Sequence, residues 1–476
     1  MKKFMILAAV AMLVGRASAA VRDTISLNAG WQFHLGELSG IEAVKNAKSE
    51  RVNLPHDFLI GQPWVEPDAS ERPDNSDAGS NVRSRLSPRG FKEMNVGWYR
   101  YVLTPKAEWK GRRVVLDFQG IMLVGDVWLN GKHIGKTDYG YLGFDTDISS
   151  ILKYDGDNEI IVKANTQQPN NSRWYTGGGL YRDVNLIVTD KKLYFPRHPL
   201  FIRTENNKKV KIQAEIACFN KVDNIPTEVK IYDANGEVVA QKKQNIVFNG
   251  KWLTREYELQ PIEIDNANLW SCESPYLYTA EVTLFDNQGN VVDQIREQFG
   301  VRTIEFSPNF GFKLNGKKVL LKGYANHHTL GALGAAAYPR AIEKRIQLMK
   351  SFGYNHIRTS HNPYSEDFMR LCDRYGILVV DELYDKWLTQ YAGGRVEWEA
   401  LWQRDVPEWV KRDRNHPCVV LWSLGNELQQ YPNLPFNDWG VTAYKLQREL
   451  LHRYDNTRLT TVAMHPRYRD IDTDSI

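Results

Sequence analysis

The chain has 476 residues, too many for one hydrophobic core; at roughly 100–200 residues per domain, about three domains are expected. Charged residues at 25% and apolar residues at 42% are those of a globular protein, and no stretch beyond the N-terminus is long and apolar enough for a transmembrane helix. The net charge of +4 comes with no basic run or stripe, which argues against a nucleic-acid partner.

The first element in chain order is an address. Lys2 and Lys3 form a positive start, Phe4 to Val14 is an apolar run too short to span a bilayer, and Ala17-Ser18-Ala19-Ala20 supplies small residues for a signal peptidase. Residues 1–20 are expected to be a signal peptide, with the mature protein periplasmic or extracellular. Arg16 is unusual so close to the cleavage site. No cysteine follows the apolar run, so no lipoprotein anchor is expected.

From residue 21 to 303 no helix is expected. Short β-branched and aromatic runs alternate with turn signals, among them Asn130-Gly131, Asn235-Gly236 and Asn249-Gly250, pairs that suit type I′ hairpins because both central residues need positive φ. The region reads as two β-sandwiches, 21–190 and 191–303, parted near the polar run Thr189-Asp190-Lys191-Lys192. Residues 63–90, rich in Pro, Ser, Asp and Arg, read as a long loop within the first. The 14 tryptophans and 23 tyrosines suit stacking on sugar faces and suit β-rich cores equally well.

After Phe306 strands and helices alternate. Strands are expected to begin at Val319, Tyr354, Ile377, Cys418 and Leu459. PRAIEKRIQLMKSFG is expected to be helical, with Ile342, Ile346, Met349 and Phe352 on one face and Gly353 ending it; so are SEDFMRLCDRYG, the stretch from Trp398 to Arg412, and DWGVTAYKLQRELLHRY. The strands are apolar on both faces, so the sheet is expected to be parallel. Five such units are fewer than the eight of a (β/α)8 TIM barrel. Residues 304–476 therefore read as an incomplete barrel, and the chain as multidomain: a jelly-roll-like β-sandwich, an immunoglobulin-like β-sandwich and the first part of a barrel.

In such barrels chemistry sits at the carboxyl ends of the strands. Those ends carry His327 and His328; Arg358, Ser360, His361 and Asn362; Asp381 and Glu382; Asn426 and Glu427; the fifth runs toward His465. Glycoside hydrolysis needs one carboxyl to protonate the leaving oxygen and another to attack or to activate water. Glu427, directly after VVLWSLGN, is the candidate acid, with its pKa expected to be raised by low solvation and a neighbouring carboxylate. A surface Glu capping the next helix is an equal alternative for this residue taken alone. His327 and His361 read equally as structural histidines, and Asp381 or Glu382 as ion-pair partners of Arg358. There is no HExxH or regular metal spacing, and the glycines at 177–179 lack the context of a nucleotide loop. Cys218, Cys272, Cys372 and Cys418 are too scattered for a disulfide framework or structural zinc, and are expected to be buried thiols.

Along nearly the whole mature chain the motifs resemble glycoside hydrolase family 2. LNAGWQF, LPHDF, GWYRY, VWLNGKHIG and RWYTGGGLYRDVNL resemble its sugar-binding domain. LWSCESPYLY and FGVRTIEF resemble the end of its immunoglobulin-like domain, with Cys272 where the family more often has Pro. LNGKKVLLKGYANHHTLGALG, IRTSHNPY, LCDRYGILVVDEL and NHPCVVLWSLGNE resemble the start of its barrel.

The resemblance implies a retaining exo-β-glycosidase. β-Galactosidase comes first, from the HHTLGALG stretch, with β-glucuronidase and β-mannosidase as rivals. It makes Glu427 the acid/base and has Asn426 bind the sugar's 2-hydroxyl. It puts His327, Arg358, His361 and Asp381 in the subsite for the non-reducing sugar, with Glu382 beside them. It implies a β-linked oligosaccharide or glycan as partner and admits a homo-oligomer for the full-length protein.

Three departures follow. The family nucleophile, a second Glu on the seventh barrel strand, has no counterpart, since the only later Glu is Glu449, inside a helical run. This chain alone is thus expected to be inactive, with a raw barrel edge. The magnesium of some family galactosidases lacks support, because LYDKW carries Lys386 where a ligand would be sought; no cofactor is expected. TQQPNNS (166–172) offers no acidic sugar contact. A non-catalytic carbohydrate-binding fragment and a sandwich-built scaffold or adhesin are the readings outside enzymology.

Overall fold

The computed structural model describes residues 21–65, 92–167, 174–219, 224–247, 253–387, 395–396, 398–427 and 440–463. The expected signal peptide, most of the 63–90 loop, Asn249-Gly250 and His465 lie outside the described residues.

Period-two burial builds the first sandwich. In Val184–Thr189 the side chains of Val184, Leu186 and Val188 are buried, while Asn185 and Ile187 face outward. A four-stranded sheet (23–26, 184–189, 113–118, 144–147) packs on a six-stranded one (50–52, 31–35, 96–103, 158–165, 124–129, 132–137) around Trp31, Tyr99, Leu116, Phe118 and Ile160. Asn130 and Gly131, at φ 52° and 82°, make the expected hairpin turn between Val124–Leu129 and Lys132–Thr137.

Asn235-Gly236 behaves otherwise. Only Gly236 is left-handed, because the Asp233 carboxylate accepts from the backbone N–H groups of Asn235 and Glu237 and holds a wider turn. Two further sheets, of five and four strands between residues 193 and 299, enclose Ile212, Val229, Ile231, Val282 and Leu284.

The third region is a parallel five-stranded sheet in the order β1 (Gly323–Asn326), β2 (His356–Thr359), β3 (Leu378–Glu382), β4 (Val419–Asn426) and β5 (Leu459–Ala463). The helices α1 (Pro339–Ser351), α2 (Glu366–Tyr375), α3 (Trp398–Asp413) and α4 (Val441–Tyr454) follow β1 to β4 in turn. The strand expected from Val319 begins only at Gly323. Asn315-Gly316, at φ 52° and 73°, turns the chain so that Lys317–Lys318 joins a small antiparallel sheet with Gly311–Leu314, and Leu320 is left 69% exposed.

Helix α1 buries Ile342, Ile346 and Met349 as expected, but Phe352 is 74% exposed, because the helix has ended and Phe352 is its C-cap. Helix α2 starts on Ser365, whose Oγ accepts from the Phe368 N–H, and ends on left-handed Gly376. Among the described residues β1 and β5 each have one strand neighbour, so both edges of the sheet are open. The four cysteines are buried and form no disulfide with one another, and no described helix is long and apolar enough to cross a membrane.

The sandwiches are fastened to this sheet. Trp270 Nε1 donates to the Asp373 carbonyl at 2.8 Å, and Arg182 to the Pro363 carbonyl at 2.8 Å. The Tyr139 hydroxyl donates to the Leu383 carbonyl, and Arg395 reaches Asp126 at 2.9 Å.

Candidate active site

Alternation along β3 sorts its two acidic residues. Leu378, Val380 and Glu382 point to the interior of the curved sheet, and Val379 and Asp381 to the helices. Glu382 is fully buried and is the hub of the cleft. Its carboxylate accepts from Arg358 Nε at 3.1 Å, Arg358 Nη2 at 2.8 Å, His361 Nδ1 at 2.6 Å and Ser423 Oγ at 2.5 Å, and its backbone N–H donates to Thr359 Oγ1. Removing one partner of such a buried pair costs about 3–5 kcal/mol. The ion-pair reading of Glu382 is therefore the one the geometry supports.

Asp381 requires a correction. Its carboxylate is 0% exposed and accepts from Trp409 Nε1 at 2.7 Å and Thr359 Oγ1 at 3.2 Å, so it stands in the helix layer and does not reach the cleft. Burial, and after it the charge of Asp413, hold its carboxyl well above the usual range.

His327 and His361 do come together. Their rings are 5.7 Å apart edge to face, and Trp174 of the first sandwich stacks on His327 at 4.6 Å and meets His361 edge-on at 5.4 Å. His327 Nδ1 lies 2.9 Å from the Ser360 carbonyl, which can only accept, so Nδ1 carries the proton. His328 points elsewhere, against Tyr141, Tyr181 and Tyr364; burial, with Arg182 adding to it, pushes its pKa down to about 3, so it is neutral.

Asn426 and Glu427 close the cleft at the end of β4. The Asn426 amide is held on both sides: Oδ1 accepts from Arg358 at 3.0 Å and Nδ2 donates to Asp385 Oδ1 at 2.9 Å. The Glu427 N–H donates to the Ala463 carbonyl of β5 at 2.8 Å, and its φ of 50° is one a non-glycine residue adopts at cost. Its Oε2 accepts from Lys386 Nζ at 2.9 Å.

Among the described residues the next helix after Glu427 is α4, and its cap is Gly440. The expected low solvation is not found: the side chain is 40% exposed, and Lys386 Nζ lies beside it.

Five contributors escape sequence reasoning. Ser423 and Thr359 are ordinary strand residues. Asp385 and Lys386 sit just beyond β3, and the one signal they gave was a Lys where a metal ligand was sought. Trp174 arrives from another domain, which no spacing along the barrel can reveal.

Three family models match the chain in order: "Glycosyl hydrolase 2 galactose-binding domain-like" at residues 91–181, "Glycosyl hydrolases family 2" at 198–302, and "Glycosyl hydrolases family 2, TIM barrel domain" at 309–474. The chain is similar to "Beta-galactosidase BoGH2A" of Bacteroides ovatus, 32% identical over 429 residues that cover 86% of this chain and 47% of that protein. It is also similar to a "Beta-glucuronidase" of Bacteroides fragilis, 28% identical over 466 residues, 93% of this chain and 61% of that one. Among solved structures, a glycosyl hydrolase family 2 member from Bacteroides cellulosilyticus superposes with a TM-score of 0.81 at 32% identity, covering 93% of this chain and 56% of the other. The chain spans about half the length of the curated relatives it matches.

Proposed function

The chain belongs to glycoside hydrolase family 2, and from that premise we propose that the intact protein is an exported, retaining exo-β-glycosidase, acting first on β-galactosides, with Glu427 as its acid/base. The observation that carries this reading is the Asn426–Glu427 strand end: an amide clamped between Arg358 and Asp385, followed at once by a carboxyl that solvent and substrate can reach. In the first half-reaction Glu427 protonates the departing glycosidic oxygen; in the second, as carboxylate, it takes a proton from the attacking water. Asn426, His327, His361 and Arg358 hold the sugar and one another.

The second carboxyl of a retaining reaction is assigned to residues outside those described. Glu382 is taken up by Arg358, His361 and Ser423; Asp381 lies in the helix layer; Asp385 holds Asn426 and Lys386. Glu449 is on the exposed side of α4, beside Arg453.

The relatives' printed names divide between galactosidase and glucuronidase, so substrate is the finer half of the proposal. Release of nitrophenol from the β-galactoside, β-glucuronide and β-mannoside by the intact protein tests it. Preference for the galactoside is expected. Cleavage of the glucuronide with the galactoside untouched would overturn the substrate assignment and leave the reaction class standing.

A further inference from the structure

Lys386 has no part in the two-carboxyl scheme, yet it is the best-anchored group beside the acid/base. Its side chain is 2% exposed. Among the described residues its ammonium meets Glu427 Oε2 at 2.9 Å, the Asn426 carbonyl at 2.9 Å and Asp385 Oδ1 at 3.3 Å. An ammonium has three protons to satisfy and is buried only when they are met and its charge is countered.

The segment carrying it is fixed on both sides. Before it, the Leu383 N–H donates to the Ser423 carbonyl of β4, Tyr139 holds the Leu383 carbonyl, and the Tyr384 hydroxyl donates to Asp405 at 2.7 Å. After it, the buried indole of Trp387 donates to the Leu424 carbonyl of β4 at 3.0 Å. The lysine is thus tied to the strand that bears Glu427, whereas Glu427 itself is half open to solvent.

Resting on the reading of Glu427 as acid/base, we propose that Lys386 is its positioning residue: a fixed, built-in cation that aims the carboxyl at the glycosidic oxygen and sets the pH above which it no longer donates a proton. Among the described residues, Asp385 of the same segment touches Lys386; Arg358 of β2 touches the neighbouring Asn426 and is itself paired with Glu382 of β3, which also holds His361; β5 contributes the Ala463 carbonyl. Taking Lys386 away removes the ammonium that lies 2.9 Å from Glu427 Oε2. The carboxyl of Glu427 then holds its proton to higher pH, because a nearby opposite charge lowers a carboxyl pKa by about 1–3 units.

The test is the pH profile of kcat/KM for an alkyl glycoside, whose leaving oxygen needs a proton, with the intact protein, comparing wild type, Lys386→Met, Lys386→Arg and Glu427→Gln. Lys386→Met is expected to move the alkaline limb up by about 1–3 pH units with lower kcat, and Lys386→Arg to leave the limb near its wild-type place. A purely structural lysine would lower activity without moving the limb. If Lys386→Met does not fold, Lys386→Gln, which is polar and uncharged, gives the same comparison. An unmoved limb in the neutral variant together with an inactive Glu427→Gln overturns the lysine proposal alone. A fully active Glu427→Gln overturns the reading of Glu427 and the lysine proposal with it.

Discussion

The indole of Trp174, carried by the first sandwich, stacks on the imidazole of His327 at the end of β1, with centroids 4.6 Å apart and planes 20° apart. A residue of one domain thus sets a ring of another at the cleft. Aromatic pairs of this kind contribute about 0.5–1.5 kcal/mol beyond the area they bury. Trp174→Ala is expected to raise KM for the glycoside up to about tenfold with a smaller change in kcat, read from steady-state kinetics; an unchanged KM would remove the sandwich from the site.

Arg358 is the countercharge of a carboxylate with no exposed surface. Arg358→Met strands Glu382 and is expected to destabilise the barrel region by about 3–5 kcal/mol, measured as a lowered urea midpoint, along with loss of activity. Arg358→Met combined with Glu382→Met removes both charges and is expected to recover much of the stability and none of the activity.

Asp381 is the opposite case. Because burial and Asp413 favour its neutral form, asparagine is a close substitute. Asp381→Asn is expected to keep KM unchanged and stability within about 1 kcal/mol at neutral pH. A large rise in KM would return Asp381 to the sugar subsite.

His416 gives the fold a pH dependence. Burial lowers its pKa, but Asp373, 2.5 Å from Nδ1, outweighs burial and leaves it raised. A histidine whose folded value exceeds its unfolded one stabilises the fold fully below the unfolded pKa of about 6.5, and that contribution is lost as pH rises through the folded value. His416→Gln is expected to flatten the fall in urea midpoint as pH rises above about 6.5; an unaltered slope would assign the fall to other groups.

The sequence made the architecture legible because each level agreed with the next. Period-two runs became sandwich strands, the stretches PRAIEKRIQLMKSFG and SEDFMRLCDRYG became α1 and α2, and apolar strands became a parallel sheet. The misses have local causes. Asn315-Gly316 diverted the run from Val319, and an Asp side chain widened the turn at 235–236. At the cleft, the strand ends predicted which residues gather, but one step of strand phase sent Asp381 to the helices and Glu382 to the interior. Trp174 and Lys386 depend on tertiary approach, which no spacing encodes.

The most direct test of the account is leaving-group dependence in Glu427→Gln of the intact protein. For an alkyl β-galactoside, whose leaving oxygen needs a proton, kcat/KM is predicted to fall by about 10²–10⁴-fold; for a dinitrophenyl galactoside, whose phenolate leaves unaided, the fall should be far smaller. Equal losses on both substrates, or none on either, would contradict the assignment of Glu427 as the proton donor.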